Sequence, residues 1–67
     1  MEAFAKKLRE TRKEKGLTQK QLAIEINATD DSVFSWEKGR SQPSLEMLCA
    51  LCTLLEVSAD YLLGREE

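Results

Sequence analysis

Start and stop signals for short helices follow one another closely along this chain. They leave no interval long enough for anything but a bundle of brief helical segments. Gly16, Asn27, Gly39 and Gly64 stand where helices end, and Thr18, Thr29, Ser44 and Ser58 stand where the next ones begin. Glycine and asparagine tolerate the left-handed backbone that closes a helix, and Ser or Thr side chains accept from the free amides that open one. Thr18-Gln19-Lys20-Gln21 has the form of a capping box, with Leu17 and Leu22 as its hydrophobic staple. Thr29 caps a third helix over about residues 29–38, with Ala28 and Val33 as a weaker staple and Asp30 and Asp31 in its first turn, where the helix dipole favours acids. Phe4, Leu8 and the Thr11/Arg12 pair give a first helix its inward face, and Leu22, Ala23 and Ile26 do so for the second. Arg40 to Pro43 form a loop. The fourth helix carries Leu45, Leu48, Leu51, Cys52 and Leu55 on one face, and a last short one carries Leu62 and Leu63. Alternating strand patterns, repeats and low-complexity stretches are absent. The expected fold is all-α, a compact five-helix bundle over residues 1–64, with a C-terminal tail at 65–67.

Length and composition narrow the function. A chain of 67 residues allows one small domain with a thin core. The absence of His removes the commonest general base and metal ligand, and no nucleophile–base pair or phosphate-binding glycine loop stands in for it. No catalytic residue, cofactor or metal is therefore expected. Cys49 and Cys52 have C-x-x-C spacing, but they fall mid-helix and the chain has no other Cys. They read as buried small hydrophobes. The chain has no 18-residue apolar run and no apolar stretch near its charged N-terminus, so neither a membrane span nor a secretory signal is expected.

The net charge of −2 argues mildly against a nucleic-acid partner, but the charge is unevenly placed. Residues 1–20 carry seven cations against three carboxylates, and residues 21–37 carry four carboxylates and no cation. Taken alone, the basic first helix reads as a solvated face.

The segment from Gln19 to Lys38 carries the functional signal. Two short helices joined by a tight turn make a helix-turn-helix. A small residue, Ala23, stands at the crossing, Asn27 supplies the turn, and Leu22, Ile26, Ala28, Val33 and Trp36 lock the pair to a core.

With these residues in place, the chain resembles the phage-repressor and Cro type of helix-turn-helix domain, the XRE family, with its lambda-repressor-like fold. The likeness runs from Phe4 to Gly64 through Leu8, Arg12, Gly16-Leu17-Thr18-Gln19, Leu22-Ala23, Val33, Trp36-Glu37, Gly39, Pro43-Ser44-Leu45, Leu48, Leu55, Val57-Ser58 and Asp60-Tyr61-Leu62-Leu63-Gly64. The resemblance implies a sequence-specific regulator of transcription, a repressor, that binds double-stranded operator DNA as a homodimer in the cytoplasm of a bacterial or phage-infected cell. Its third helix would enter the major groove. Base contacts are implied for Asp30, Asp31, Ser32, Phe34 and Ser35. Backbone contacts are implied for Thr18, Gln19, Lys20, Thr29, Lys38, Arg40 and Ser41, helped by the amides opening the second helix. Arg12 and Glu37 match a pair that forms a structural salt bridge.

Several residues depart from the family's pattern. Asp30 and Asp31 stand where Gln, Arg, Ser or Asn is usual. They point away from DNA, or one accepts from a cytosine amino group, or the surface serves a protein partner. Phe34 and Ile24 fall at positions that are usually polar, and they read either as a thymine contact by Phe34 or as a small exposed patch. Glu56 occupies a turn position usually taken by Gly or Asn. The fourth helix has a second apolar side, Met47, Ala50 and Leu54. Met47, Leu54 and Tyr61 accordingly read either as a two-fold contact or as ordinary surface hydrophobes. The alternative function is a protein-interaction module such as an antitoxin, with weak DNA binding.

Overall fold

A computed structural model describes residues 2–65. Met1, Glu66 and Glu67 lie outside it, so of the expected tail only Arg65 is described. The element order is α1 (Glu2–Glu14), α2 (Gln19–Glu25), α3 (Asp30–Glu37), α4 (Leu45–Leu55) and α5 (Ala59–Leu62). The described residues form helices and turns with no strand among them.

Each helix opens where a side-chain cap allows it. Thr18 Oγ1 accepts from the Gln21 amide, and the Gln21 side chain accepts from the Thr18 amide, so the capping box is complete. Thr29, Ser44 and Ser58 accept from the amides of Ser32, Met47 and Tyr61 in the same way. Asn27 takes φ 61° in the turn between α2 and α3, and the Ala28 amide closes that turn on the Ala23 carbonyl at 2.8 Å. Ala23 is buried at the crossing, where a larger side chain would push α3 outward.

The core is one cluster drawn from all five helices. Phe4 and Leu8 of α1, Leu22 of α2, Val33 and Trp36 of α3, Leu51 and Leu55 of α4, and Leu62 of α5 are all buried. Two expectations are corrected. Leu45 leaves 82% of its surface exposed instead of joining the α4 core face. It is the first residue of α4, and Leu48, one turn further in, is the first residue of that face to pack against the core. Cys49 is likewise exposed, and only Cys52 packs against the core. Burial and the neighbouring Cys49 push the Cys52 thiol up, away from the thiolate that redox chemistry needs.

Glu56 ends α4 in the left-handed region at φ 59°, a conformation that costs a non-glycine residue about 1–2 kcal/mol. Its carboxylate accepts from Lys15 Nζ at 2.9 Å, tying the turn after α4 to the end of α1. That hydrogen bond holds the Glu56 carboxyl below the usual glutamate range.

Two substitutions test the packing around α1. Thr11 is buried and its hydroxyl has no hydrogen-bond partner among the described residues. Thr11→Val keeps the shape and removes the desolvated group, so it should raise stability by about 1 kcal/mol, read from the urea midpoint. Gly64 has φ 75°, and a Cβ there would stand 2.8 Å from the Ala3 Cβ. Gly64→Ala should cost about 2 kcal/mol in the same assay. Ala3→Gly in that background should recover the steric part and leave the backbone part.

Candidate nucleic-acid interface

Helix α3 is clamped from behind and open in front. Its inner residues Val33 and Trp36 sit in the core, while Asp30, Asp31 and Phe34 face outward and Ser32 and Ser35 lie half-buried between the two sides. The clamp centres on Glu37, the last residue of the helix. Arg12 Nε donates to Glu37 Oε2 at 2.7 Å and Arg12 Nη2 to Oε1 at 3.1 Å, a two-pronged ion pair. Arg12 Nη1 donates to the Leu17 carbonyl at 2.8 Å, and Gln19 Nε2 donates to Glu37 Oε1 at 3.1 Å. One carboxylate therefore binds α1 and the first residue of α2 to the end of α3. The side chains of Arg12 and Glu37 are only 10% and 3% exposed, so water competes weakly for these bonds.

Residues expected at base edges divide into two groups. Asp30 and Asp31 are exposed, and no ion pair or hydrogen bond engages their side chains among the described residues. Ser32 is tied back, since its hydroxyl accepts from Thr29 Oγ1 at 3.0 Å while its amide donates to the same oxygen. Thr29 is thus engaged as a cap, as Thr18 is in the capping box. Gln19 is half-buried through its bond to Glu37, and Lys20 beside it is exposed.

Beyond the end of α3, Lys38, Arg40 and Ser41 are exposed. Lys38 Nζ lies 5.5 Å and Arg40 Cζ 5.7 Å from the centre of the Phe34 ring. The ring carries negative potential on its face, so it gathers both cations at the rim of the outer surface of α3. Sequence reasoning gave Phe34 either a base contact or a patch with Ile24. It missed this arrangement, although the i, i+4 spacing of Phe34 and Lys38 carries it. Ile24 stands 66% exposed on α2.

The expected two-fold residues are partly used by the monomer. Met47 and Leu54 of α4 are half-buried against the core. Tyr61 is also half-buried and lies under Lys7 Nζ, 4.7 Å from its ring centre. No group of His, Cys, Asp or Glu among the described residues is arranged to hold a metal ion, and no described helix is long and apolar enough to cross a membrane.

The clamp makes a quantitative prediction. Removing one partner of a buried ion pair leaves the other charge desolvated and alone, so Arg12→Met should cost about 3 kcal/mol or more. The double variant Arg12→Met with Glu37→Met should regain much of that loss. A urea-denaturation double-mutant cycle reads the coupling, and two additive single losses would show that the pair does not act as a unit.

Comparison with known proteins places this geometry. The helix-turn-helix family profile matches residues 8–62. The regulator ImmR of Bacillus subtilis is 35% identical over 65 residues, 97% of this chain and 51% of that protein. The transcriptional activator BcrR of Enterococcus faecalis is 36% identical over 64 residues, 96% of this chain and 31% of that protein. The chain thus spans about half the length, or less, of these relatives. Among solved structures, the P22 c2 repressor in complex with a synthetic operator superposes with a TM-score of 0.89 at 28% identity, covering 94% of this chain and 96% of that one. The restriction-modification controller protein C.AhdI of Aeromonas hydrophila gives 0.84 at 33% identity, covering 91% and 92%. With a matching profile over most of its length and a shared fold from α1 to α5, the chain belongs to the helix-turn-helix family, in its phage-repressor branch.

Proposed function

We propose that this chain is the DNA-binding unit of a cytoplasmic transcriptional regulator, a repressor, that inserts α3 into the major groove of operator DNA. The observation that carries the reading is the mounting of α3. Its inner side is fixed by the core and by the Arg12–Glu37–Gln19 network, while its outer side is free and rimmed by Lys38 and Arg40. The superposition on a repressor bound to a synthetic operator supports the same orientation.

In this reading Lys38, Arg40, Ser41, Lys20 and Gln19 meet phosphates, with Thr18 and Thr29 at the openings of α2 and α3 beside them. Asp31, Ser35 and Phe34 face base edges, with Asp30 and Ser32 at the margin. A carboxylate only accepts hydrogen bonds, so Asp31 selects the cytosine amino group and repels phosphate. Affinity then rests on the local cations and not on the net charge.

The reading includes a homodimer. In such a dimer the two α3 helices would enter successive major grooves one turn of duplex apart, ~34 Å. The remaining apolar surface of Met47, Leu54 and Tyr61 lines the two-fold contact. A second reading, a module whose main partner is protein, draws support from the exposed Ile24 on α2 and from the acidic first turn of α3.

Selection of bound sequences from a random duplex pool should return a two-fold symmetric site. Lys38→Gln and Arg40→Gln should each flatten the log–log dependence of affinity on salt by about 0.9, and should weaken all sequences alike. Asp31→Asn should change the preferred base at one position per half-site. A protein with no salt-dependent affinity for any duplex would leave the protein-partner reading standing.

A further inference from the structure

The cations of α1 were read from the sequence as a solvated face, but the fold gives some of them a shared position. Arg9 and Lys13 lie one turn apart on α1 and, with Lys38, wall a groove that runs between α1 and the end of α3. Phe34 and Gln19 line the same groove, which therefore opens directly onto the surface proposed to meet the duplex. Four cations and one carboxylate line it, and that carboxylate, Glu37, is already neutralised by Arg12. Arg9 and Lys13 have no ion-pair partner among the described residues, although Glu10 and Glu14 are near them in sequence. Away from the duplex the groove continues past Lys6 towards Glu2 and Glu10, where the charge becomes mixed. The positive end is thus the end beside Phe34.

We propose that Arg9, Lys13 and Lys38 form a second phosphate clamp, which takes a backbone phosphate flanking the stretch of major groove that α3 enters. The inference rests on the DNA-binding reading and deepens it, adding α1 to an interface otherwise made by α2, α3 and the loop after α3. Two arguments single out a duplex phosphate as the occupant. The groove is continuous with the proposed interface through Phe34, Gln19 and Lys38, and its free charge is complementary to a polyanion. Such a contact adds affinity without base information, because phosphates repeat regardless of sequence.

Arg9→Gln, Lys13→Gln and the double variant test the clamp, with Lys7→Gln as control. Lys7 is also on α1 and carries the same charge, but it lies over Tyr61 and outside the groove. Both targets are exposed helix positions, so thermal melts should match the wild type. Affinity for the selected duplex is measured from low to moderate salt. The double variant should flatten the log–log slope by about 0.9, one phosphate contact, with unchanged base preference, and Lys7→Gln should not. Neutral methylphosphonates placed singly along the duplex should weaken the wild type at a flanking position where the double variant is indifferent. A double variant with the wild-type slope, or one no flatter than Lys7→Gln, overturns the clamp while the DNA-binding reading stands. A wild type that binds no duplex overturns both.

Discussion

The Glu37 carboxylate is the point on which the rest of the molecule turns. A helix of eight residues is too short to hold its own shape or direction in water, and α3 buries only Val33 and Trp36. Two hydrophobic anchors set which side of such a helix meets the core but leave its C-terminal end free to shift. Glu37 removes that freedom by accepting three hydrogen bonds, two from Arg12 and one from Gln19. Arg12 also grips the Leu17 carbonyl, so the turn between α1 and α2 is drawn into the same arrangement. The result is a rigid corner made from polar groups, in a domain whose apolar core is too small to supply rigidity alone. Because the pair is buried, salt that screens exposed charges leaves this corner largely intact. The exposed Lys15–Glu56 pair enjoys no such protection.

Charge is used differently on the two sides of the bundle. Of the four acids of residues 21–37, Asp30 and Asp31 open α3, where its dipole welcomes them, Glu37 ends it, where Arg12 neutralises the charge, and Glu25 ends α2. Cations collect instead along α1 and past the end of α3. A net charge of −2 therefore says little about what docks here, since within a Debye length of about 8–10 Å only the nearby groups are felt. Phe34 contributes by gathering Lys38 and Arg40 at one edge, so that an aromatic side chain shapes the local field without carrying charge itself.

Much of this was legible in the sequence. Thr18, Thr29, Ser44 and Ser58 mark helix openings because a hydroxyl before an apolar face has few other uses, and all four caps are present. Asn27 and Glu56 both adopt the left-handed backbone, the first expected from its chemistry and the second from its place in the family pattern. Leu45 was misplaced because helical periodicity assigns a face to a residue but not its depth along the axis. Cys49 shared that fate, since a spacing of three residues does not say which of two thiols points inward. The groove of Arg9, Lys13 and Lys38 was invisible for a related reason. Its walls come from helices far apart in sequence, and only the packing angle of α1 on α3 brings them together.

The separation between support and display has a practical side. Glu37, Arg12 and Gln19 hold the helix without involving Asp30, Asp31 or Ser35, whose side chains are free to be exchanged as an alphabet on an unchanged frame. Phe34 is the exception, because it belongs both to the display and to the seat of two cations. Under the proposed reading, a redesign of Asp30, Asp31 and Ser35 would alter chiefly what is recognised, at a small cost in dipole stabilisation where an acid is lost, whereas one that rewrites Phe34 would also alter how firmly any sequence is held.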